Sequence, residues 1–413
     1  MNRITKIHGF AVTIAATVSG VAAAAAPMPA YVAATLRWVE RPPLEMALDR
    51  LLRPGEVMVL AGVRPGMRVV SLMPDSGYYM RIMSGIVGPS GKVYAVIPQS
   101  NSAGEMGRSV GPLVREFGEG DPRTRLQRVT GRAYQPNIAQ NTDVMWEWVD
   151  GKQYPNDLRY GNFAVPEQID VLVTAYDYHV FESPAFSNTN MHRFLGAIYR
   201  HMKNNGVVIV IDNRAQPGMA LSDAVALNRM NPEVVKTEMT QTGFVLEADS
   251  PILARADDDR TKMAEDVFLT RTPKAADAFV LKFRKPKNAP NTDQRPKDPL
   301  KLLQGFFGNT IEVTGGDHSL HFIHADGTYQ EMRNASFDSG NWFFNADGWN
   351  CRYRRGRSFA DCATSPHEYD NRHVGDVWEA PHGHYVVKKG YDYSLILGRE
   401  YPDARALPLG SPN

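Results

Sequence analysis

Three short stretches carry side chains able to move protons. Asp177, Tyr178 and His179 stand together directly after an apolar, β-rich run, Ile169 to Ala175. Histidine titrates near neutrality, so His179 can act as a base toward a phenol or another hydroxyl. Hydrogen-bonded within its own loop, it would have no such role. Asp212, Asn213 and Arg214 follow the branched apolar run Val207 to Ile211. Asp212 can orient a base or bind a substrate hydroxyl, or serve only as a helix or turn cap. Asp75, in the turn Pro74-Asp75-Ser76-Gly77, is a further acid/base candidate if no ligand occupies that turn. Seven of the 11 histidines lie in the last part of the chain, with His318, His321 and His324 three apart and His382 and His384 two apart. On a strand, residues three apart face opposite ways, so His318 and His324 can converge while His321 points away. No metal site is expected.

These residues need elements to hold them. Residues 27–62 read as a helical lead-in, with Leu44, Leu48, Leu51 and Leu52 at helical spacing. A short helix from Pro54 to Ala61 has proline at its start and Gly62 just past its end. A strand follows from Met67 to Met73, then the turn, a helix from Tyr78 to Val87, a turn at Gly88-Pro89-Ser90-Gly91 and a strand from Lys92 to Ile97. That is a βαβ unit. Further strands are expected at Ile169 to Ala175, Val207 to Ile211, Phe244 to Ala248 and Ala278 to Phe283, and helices at Asn188 to Asn204 and Pro232 to Thr242. The pattern predicts a doubly wound, mostly parallel α/β sheet buried on both faces. Candidate groups at strand ends would then lie in its ligand cleft. Residues 134–166 interrupt the alternation with Trp146, Trp148, Tyr154 and Tyr160 among Asn, Asp and Gly. Such a segment reads as an aromatic insert, a lid or substrate wall over the cleft, or else as a surface ornament with an apolar underside. Residues 287–299, rich in Pro, Lys, Asn and Asp, read as a stiff linker. Residues 300–413 alternate short β-like runs with glycine turns and read as a small all-β domain.

The run Gly62-Val63-Arg64-Pro65-Gly66-Met67-Arg68-Val69-Val70-Ser71-Leu72-Met73-Pro74-Asp75-Ser76-Gly77-Tyr78-Tyr79 resembles the first motif of class I S-adenosylmethionine-dependent methyltransferases, above all a bacterial, often secreted, methyltransferase-like subgroup. Further likenesses follow in order. They are Gly88-Pro89-Ser90-Gly91-Lys92-Val93-Tyr94-Ala95-Val96, Tyr178-His179, Asn205-Gly206-Val207-Val208, Thr242-Gly243-Phe244 and Phe279-Val280-Leu281-Lys282-Phe283-Arg284-Lys285-Pro286. The resemblance spans about residues 40–286 and implies a Rossmann-like fold over residues 27–286. It implies S-adenosylmethionine as cofactor, held at Ser71, Pro74, Asp75, Ser76, Gly77, Tyr78 and Pro98, and methyl transfer to a small, possibly aromatic, acceptor. The chain departs from the family at several points. Ser71 stands where an Asp is usual, and Asp75 stands where a glycine is usual. The second strand ends Ile97-Pro98-Gln99 without a carboxylate for the ribose. Asn228-Arg229-Met230-Asn231 stands where the subgroup has a His-Arg-Ile-Asp run.

Arg3 and Lys6, the apolar run Phe10 to Val21 and the alanines before Pro27 predict a signal peptide over residues 1–26 and a periplasmic or secreted mature chain. Disulfides persist there, so Cys351 and Cys362, the only 2 cysteines, are expected to pair. With 46 Lys+Arg against 45 Asp+Glu, the chain shows no electrostatic footprint for nucleic acid. No spanning helix is expected after the N-terminus. The expected partner is a small-molecule substrate, and the oligomeric state is open. Three readings compete: methyl transfer; a cofactor-independent lyase, isomerase or hydrolase using His179, Asp75 and Asp212; and a non-catalytic ligand-binding protein.

Overall fold

The computed structural model describes residues 27–38, 41, 43–73, 77–99, 142–148, 163, 165–183, 191–264, 275–316, 318–333, 336–354, 360–362, 368–380, 383–392 and 395. The expected signal peptide at 1–26, Pro74, Asp75, Ser76, Tyr154 and Tyr160 lie outside the described residues.

Three helices lead in: α1 (Ala30–Leu36), α2 (Pro43–Leu52) and α3 (Pro54–Ala61). The chain then alternates through β1 (Arg68–Leu72), α4 (Tyr78–Val87), β2 (Lys92–Gln99), β3 (Thr142–Trp148), β4 (Ile169–Ala175), α5 (Tyr178–Phe181), α6 (Met191–His201), β5 (Met202–Asn213), α7 (Leu221–Ala226), α8 (Pro232–Thr242), β6 (Val245–Ser250) and β7 (Ala278–Arg284). These strands form one sheet in the order β3-β2-β1-β4-β5-β7-β6. The pairs β2–β3, β1–β2, β1–β4 and β4–β5 are parallel, and β7 runs antiparallel between β5 and β6. The architecture is Rossmann-like. Strand order reverses between β1 and β4, so a crevice opens at their carboxyl ends.

The strands are buried on both faces because each side chain parity meets its own helices. Val69, Val93, Val171, Val173, Ile209 and Ile211 pack on one face with Met58 of α3 and Met80, Ile82, Met83 and Ile86 of α4. Val70, Leu72, Leu172, Val208, Val210, Leu281 and Phe283 pack on the other with Phe194, Leu195 and Ile198 of α6 and Met239 of α8. This second face holds a cavity of about 10 Å³, bounded by Leu72, Thr174, Tyr178, Phe194, Val210 and Met239.

The segment expected to be an aromatic insert is in part sheet. Thr142–Trp148 is the edge strand β3, with Trp146 opposite Ile97 and Trp148 opposite Gln99. The reason is local: Val144, Trp146 and Trp148 alternate with Asp143, Met145 and Glu147, the period of a strand with one sheet neighbour. Strand β5 also begins earlier than expected. Met202 already pairs with Ile169, and the register shifts before Val171 meets Val207.

After β7 the chain is pinned at several points rather than spanning solvent. Lys285 Nζ donates to the carbonyls of Tyr199 and Met202, both at 2.9 Å. Arg295 donates to Val165 O at 3.1 Å and Phe344 O at 3.0 Å, joining the two sheets. The second unit begins with α9 (Pro299–Leu303), capped by Asp298. It continues through β8 (Thr310–Thr314), β9 (Ser319–Ile323), β10 (Thr328–Arg333), β11 (Ser336–Phe344), β12 (Asn350–Arg354), β13 (Ala360–Cys362), β14 (Val377–Ala380) and β15 (Gly383–Lys388). These form an antiparallel sheet in the order β13-β12-β11-β10-β9-β8-β15-β14. One face packs Phe306, Ile311, Tyr329, Trp342, Trp378 and Tyr385. Cys351 and Cys362 lie directly opposite on β12 and β13 and are disulfide-bonded. The two units also meet where Arg200 of α6 pairs with Asp347, and where strand β13 lies against strand β3. Among the described residues no helix is long and apolar enough to cross a membrane.

Candidate active site

The carboxyl ends of β1 and β4 share an unusual backbone. Met73 and Tyr176, the residues just past them, have φ of 51° and 68°, the left-handed region that side chains avoid. Met73 N donates to Val96 O and Tyr176 N to Ile211 O, each at 2.8 Å, so neighbouring strands hold the strained turns. Such strain clusters at functional sites. It lies here at the point where strand order reverses.

The turn at Tyr176 starts α5 abruptly and aims His179 across the sheet at Asp212. Asp212, near the end of β5, is 0% exposed, and its carboxylate is fully engaged. It accepts from the backbone N of His179 at 2.8 Å and of Asn213 at 2.7 Å. It also lies 3.0 and 3.1 Å from His179 Nδ1. A carboxylate can only accept, so Nδ1 carries the proton and Nε2 is the basic nitrogen of the neutral ring. This is the orientation that lets a histidine work as a general base, with a carboxylate stabilising the imidazolium that forms. The ring's Nδ1 thus finds its partner outside its own loop, on β5.

Tyr178 turns the other way. Consecutive residues on a helical turn diverge by about 100°, and the Tyr178 hydroxyl donates to Glu238 Oε2 of α8 at 2.6 Å. Burial pushes its pKa well up, with Glu238 adding to the effect. Asp177 is buried at the start of α5 and makes no side-chain cap. Of the expected catalytic residues, the fold thus joins His179 and Asp212, and takes Tyr178 to a different neighbour.

Two tyrosines missed at the sequence level flank the crevice. Tyr176 and Tyr79 lie close enough to act on one another, and Tyr79 Oη donates to Leu52 O at 3.0 Å. Burial raises both pKa values, while the charge of Arg255 pulls that of Tyr176 down and that of Asp212 pushes it up. Arg255 is held by the carbonyls of Leu51 at 2.7 Å and Ala254 at 2.9 Å. The only sequence signal for Tyr176 was its place between β4 and Asp177. The run Asn228-Arg229-Met230-Asn231 serves packing. Arg229 is buried and bridges Asp258 at 2.8 Å, and Asn231 caps α8.

Of the residues expected to hold S-adenosylmethionine, Ser71, Gly77, Tyr78 and Pro98 are among the described ones. Ser71 is buried within β1, between Ala95 and Val173. Pro98 lies on β2 opposite Glu147, and the strand ends at Gln99 without a carboxylate. Gly77 has φ 81°, and a Cβ there would lie 2.7 Å from Arg81 Nη1, so the space beside it is already filled. Arg81 is in turn paired with Glu45 of α2. Tyr78 is drawn to α2 as well, donating to Asp49 Oδ1 at 2.6 Å, while Arg41 bridges the same carboxylate at 2.7 Å. The described residues therefore do not supply the cofactor's usual donor set. Trp146 and Trp148 are placed on β3 by backbone alone.

Among the described residues, the histidines of the second unit form no metal-binding cluster. His318 pairs with Glu312, His321 with Ser319 and Arg352, His384 with Glu379, and Nδ1 of His324 lies 3.3 Å from the Tyr391 hydroxyl.

No protein-family model matches the chain, and no curated protein does. Among solved structures it is similar to an S-adenosylmethionine-dependent methyltransferase from Aquifex aeolicus, with 15% identity over 58% of this chain and 93% of that one, at a TM-score of 0.36. It is similar to a putative sarcosine dimethylglycine methyltransferase from Galdieria sulphuraria, with 12% identity, 59% and 88% coverage and a TM-score of 0.36. It is also similar to an arsenic(III) S-adenosylmethionine methyltransferase from Chlamydomonas reinhardtii, with 17% identity, 70% and 81% coverage and a TM-score of 0.34.

Proposed function

We propose that the chain is an acid–base enzyme in which His179, oriented by Asp212, removes a proton from a small substrate seated at the carboxyl ends of β4 and β5. The observation that carries this reading is the triple engagement of a fully buried carboxylate by the histidine's own backbone, its ring and the next residue's backbone. A charge so deeply buried is costly unless it is fully hydrogen-bonded. The fold thus spends a difficult carboxylate on fixing one imidazole. His179 Nε2 accepts the proton, Asp212 offsets the positive charge that develops on the ring, and the proton can later be returned to product. Tyr176 stands beside the same crevice, and Arg255 favours a substrate that gains negative charge.

The first reaction reading is a cofactor-independent lyase, isomerase or hydrolase step begun by proton abstraction, which uses the His179–Asp212 pair as it stands. Methyl transfer from S-adenosylmethionine to a small, possibly aromatic, hydroxyl is the second reading. It is favoured by the strand order with β7 antiparallel between β5 and β6, together with the sequence resemblance. In that reaction His179 would perform the same task on the acceptor. The expected home of the mature chain is the periplasm or the outside medium.

The test uses the mature chain and a panel of small phenols, hydroxy acids and oxo acids, with product followed by mass spectrometry. His179→Ala should lower turnover about 10²–10⁴-fold, as for loss of a general base. Undiminished turnover in that variant would sink the proposal. Calorimetric titration with S-adenosylmethionine separates the two reactions: micromolar binding selects methyl transfer, and no binding at millimolar concentration selects the cofactor-independent step.

A further inference from the structure

Arginines gather where β5 ends and β7 begins, and one of them differs from its neighbours. Arg53 is paired with Glu56, Arg229 with Asp258, and Arg214 and Arg260 both with Asp277. Arg255 is paired with no carboxylate among the described residues. Its half-buried side chain is held by neutral carbonyls, donating from Nη2 to Leu51 O at 2.7 Å and from Nη1 to Ala254 O at 2.9 Å. These bonds use one N–H on each terminal nitrogen and leave the Nε–H and the second N–H of each. Leu51 O is an end carbonyl of α2, so the guanidinium also closes that helix. A helix end offsets only part of a full charge.

The fold fixes Arg255 at the ligand end of the sheet. It follows the single turn Pro251–Leu253, whose Leu253 is buried in the same cluster as Ile211 and Val280. Its backbone N donates to Asp277 Oδ1 at 2.7 Å, and Asp277 O accepts from Arg214 N at 2.7 Å. Asp277 directly precedes β7, which runs antiparallel to β5 with Ala278 opposite Asn213 and Phe279 opposite Asp212. The backbone of Arg255 is thus pinned beside the strand end that carries Asp212. The side chain reaches Leu51 O, and the next carbonyl, Leu52 O, accepts from Tyr79. The charge also acts on Tyr176, just past β4. The cation that lacks a carboxylate therefore borders the crevice of the His179–Asp212 pair.

We propose that Arg255 anchors a carboxylate of the substrate, so that the molecule deprotonated by His179 is a small carboxylic acid, a hydroxy or oxo acid. A guanidinium presents its N–H groups as a planar fork that matches the two oxygens of a carboxylate. The charges match as well, one cation to one anion. A phosphate monoester carries about −2 and would need a second cation. Arg214 and Arg260 cannot supply it, being committed to Asp277, and Asp212 adds a negative charge on the same crevice. A partly buried cation without a counter-ion is costly, and a bound carboxylate removes that cost.

The substrate class rests on the reading of His179 as the base, but the charge preference of Arg255 is measured without it. The mature chain is titrated calorimetrically with matched probes: 4-hydroxybenzoate against 4-hydroxybenzamide, lactate against lactamide, and phenyl phosphate as the other anion. At least one acid should bind ahead of its amide by about 10–10²-fold, the worth of a hydrogen bond to a charged group. Arg255→Met should abolish that preference and leave the affinity for the amide unchanged. Arg255→Gln can still donate to Leu51 O but is uncharged; it should act likewise, and serves if the methionine variant does not fold. If Arg255 only closes α2, its replacement lowers the unfolding midpoint and leaves the ratio of acid to amide affinity as in the wild type. That result would overturn the anchor. So would a wild type that binds no acid ahead of its amide, or one that binds phenyl phosphate ahead of 4-hydroxybenzoate. If the preference follows Arg255 while His179→Ala keeps full turnover, the anchor stands and the base assignment falls.

Discussion

Lowering the pH should loosen the junction between the two units through one residue, His201. It ends α6 and is fully buried. Its Nδ1 lies 2.9 Å from Ala197 O, and Ala346 N donates to its Nε2 at 3.1 Å. Nδ1 must therefore carry the proton and Nε2 must stay bare, so the neutral ring is the only form that satisfies both partners. Its edge meets Phe163 with ring centres 5.1 Å apart. Burial, then Arg295, with Arg200 and Lys285 behind it, pulls its pKa well below the usual 6.5. In the unfolded chain the same ring takes up a proton near pH 6.5. Below that point the unfolded state holds one proton more, so stability falls as the pH falls, by about 1.4 kcal/mol per unit until the folded site also titrates. His201→Gln retains an acceptor for Ala346 and a donor for Ala197 but does not titrate. Urea unfolding followed by tryptophan fluorescence at several pH values should give the variant a slope of stability against pH shallower by about 1.4 kcal/mol per unit. Equal slopes in the two proteins would refute the argument, because every other titrating group is common to both.

Three further outcomes follow from the packing. Thiol titration of the native protein should find no free thiol at Cys351 or Cys362, and Cys351→Ser should cost about 2–3 kcal/mol for a loop this short; two reactive thiols in the native state would contradict the cross-strand bond. Gly77→Ala should cost about 1–2 kcal/mol in thermal unfolding, since alanine resists a left-handed φ and its Cβ would press on Arg81; an unchanged midpoint would show that the turn can relax. Arg229→Met should lose about 3–5 kcal/mol in urea unfolding, because it leaves Asp258 buried without its bidentate partner; a loss below about 1 kcal/mol would mean that the other donors to Asp258 suffice.

The sheet was legible where one local rule dominates. Val207 to Ile211 has no polar residue and so reads as a strand covered on both faces, which it is. Strand β3 was obscured because an edge strand alternates aromatic with acidic residues and then resembles a decorated loop. His179 and Asp212 were each legible as strand-end residues. Their contact spans 33 positions and depends on which strands are neighbours, which no local pattern encodes. Tyr178 was misplaced for a simpler reason: adjacency in sequence says nothing about direction on a helical turn. Glu238 and His201 sit on amphipathic helices where a polar residue ordinarily faces water, so neither stood out before α8 and α6 were docked.

The contact between β13 and β3 joins the last strand of one sheet to the last strand of the other. An unpaired strand edge is a template for adding a strand from another molecule, and proteins protect such edges by covering them. Here the two edges meet over a short stretch. β13 is only three residues long, and the covalent link to β12 holds it in line. Oxidation of the cysteine pair thus does more than stabilise a loop. It holds in line the short strand at which the two sheets meet, so a chain that reached this stage still reduced would present a looser edge to neighbouring copies.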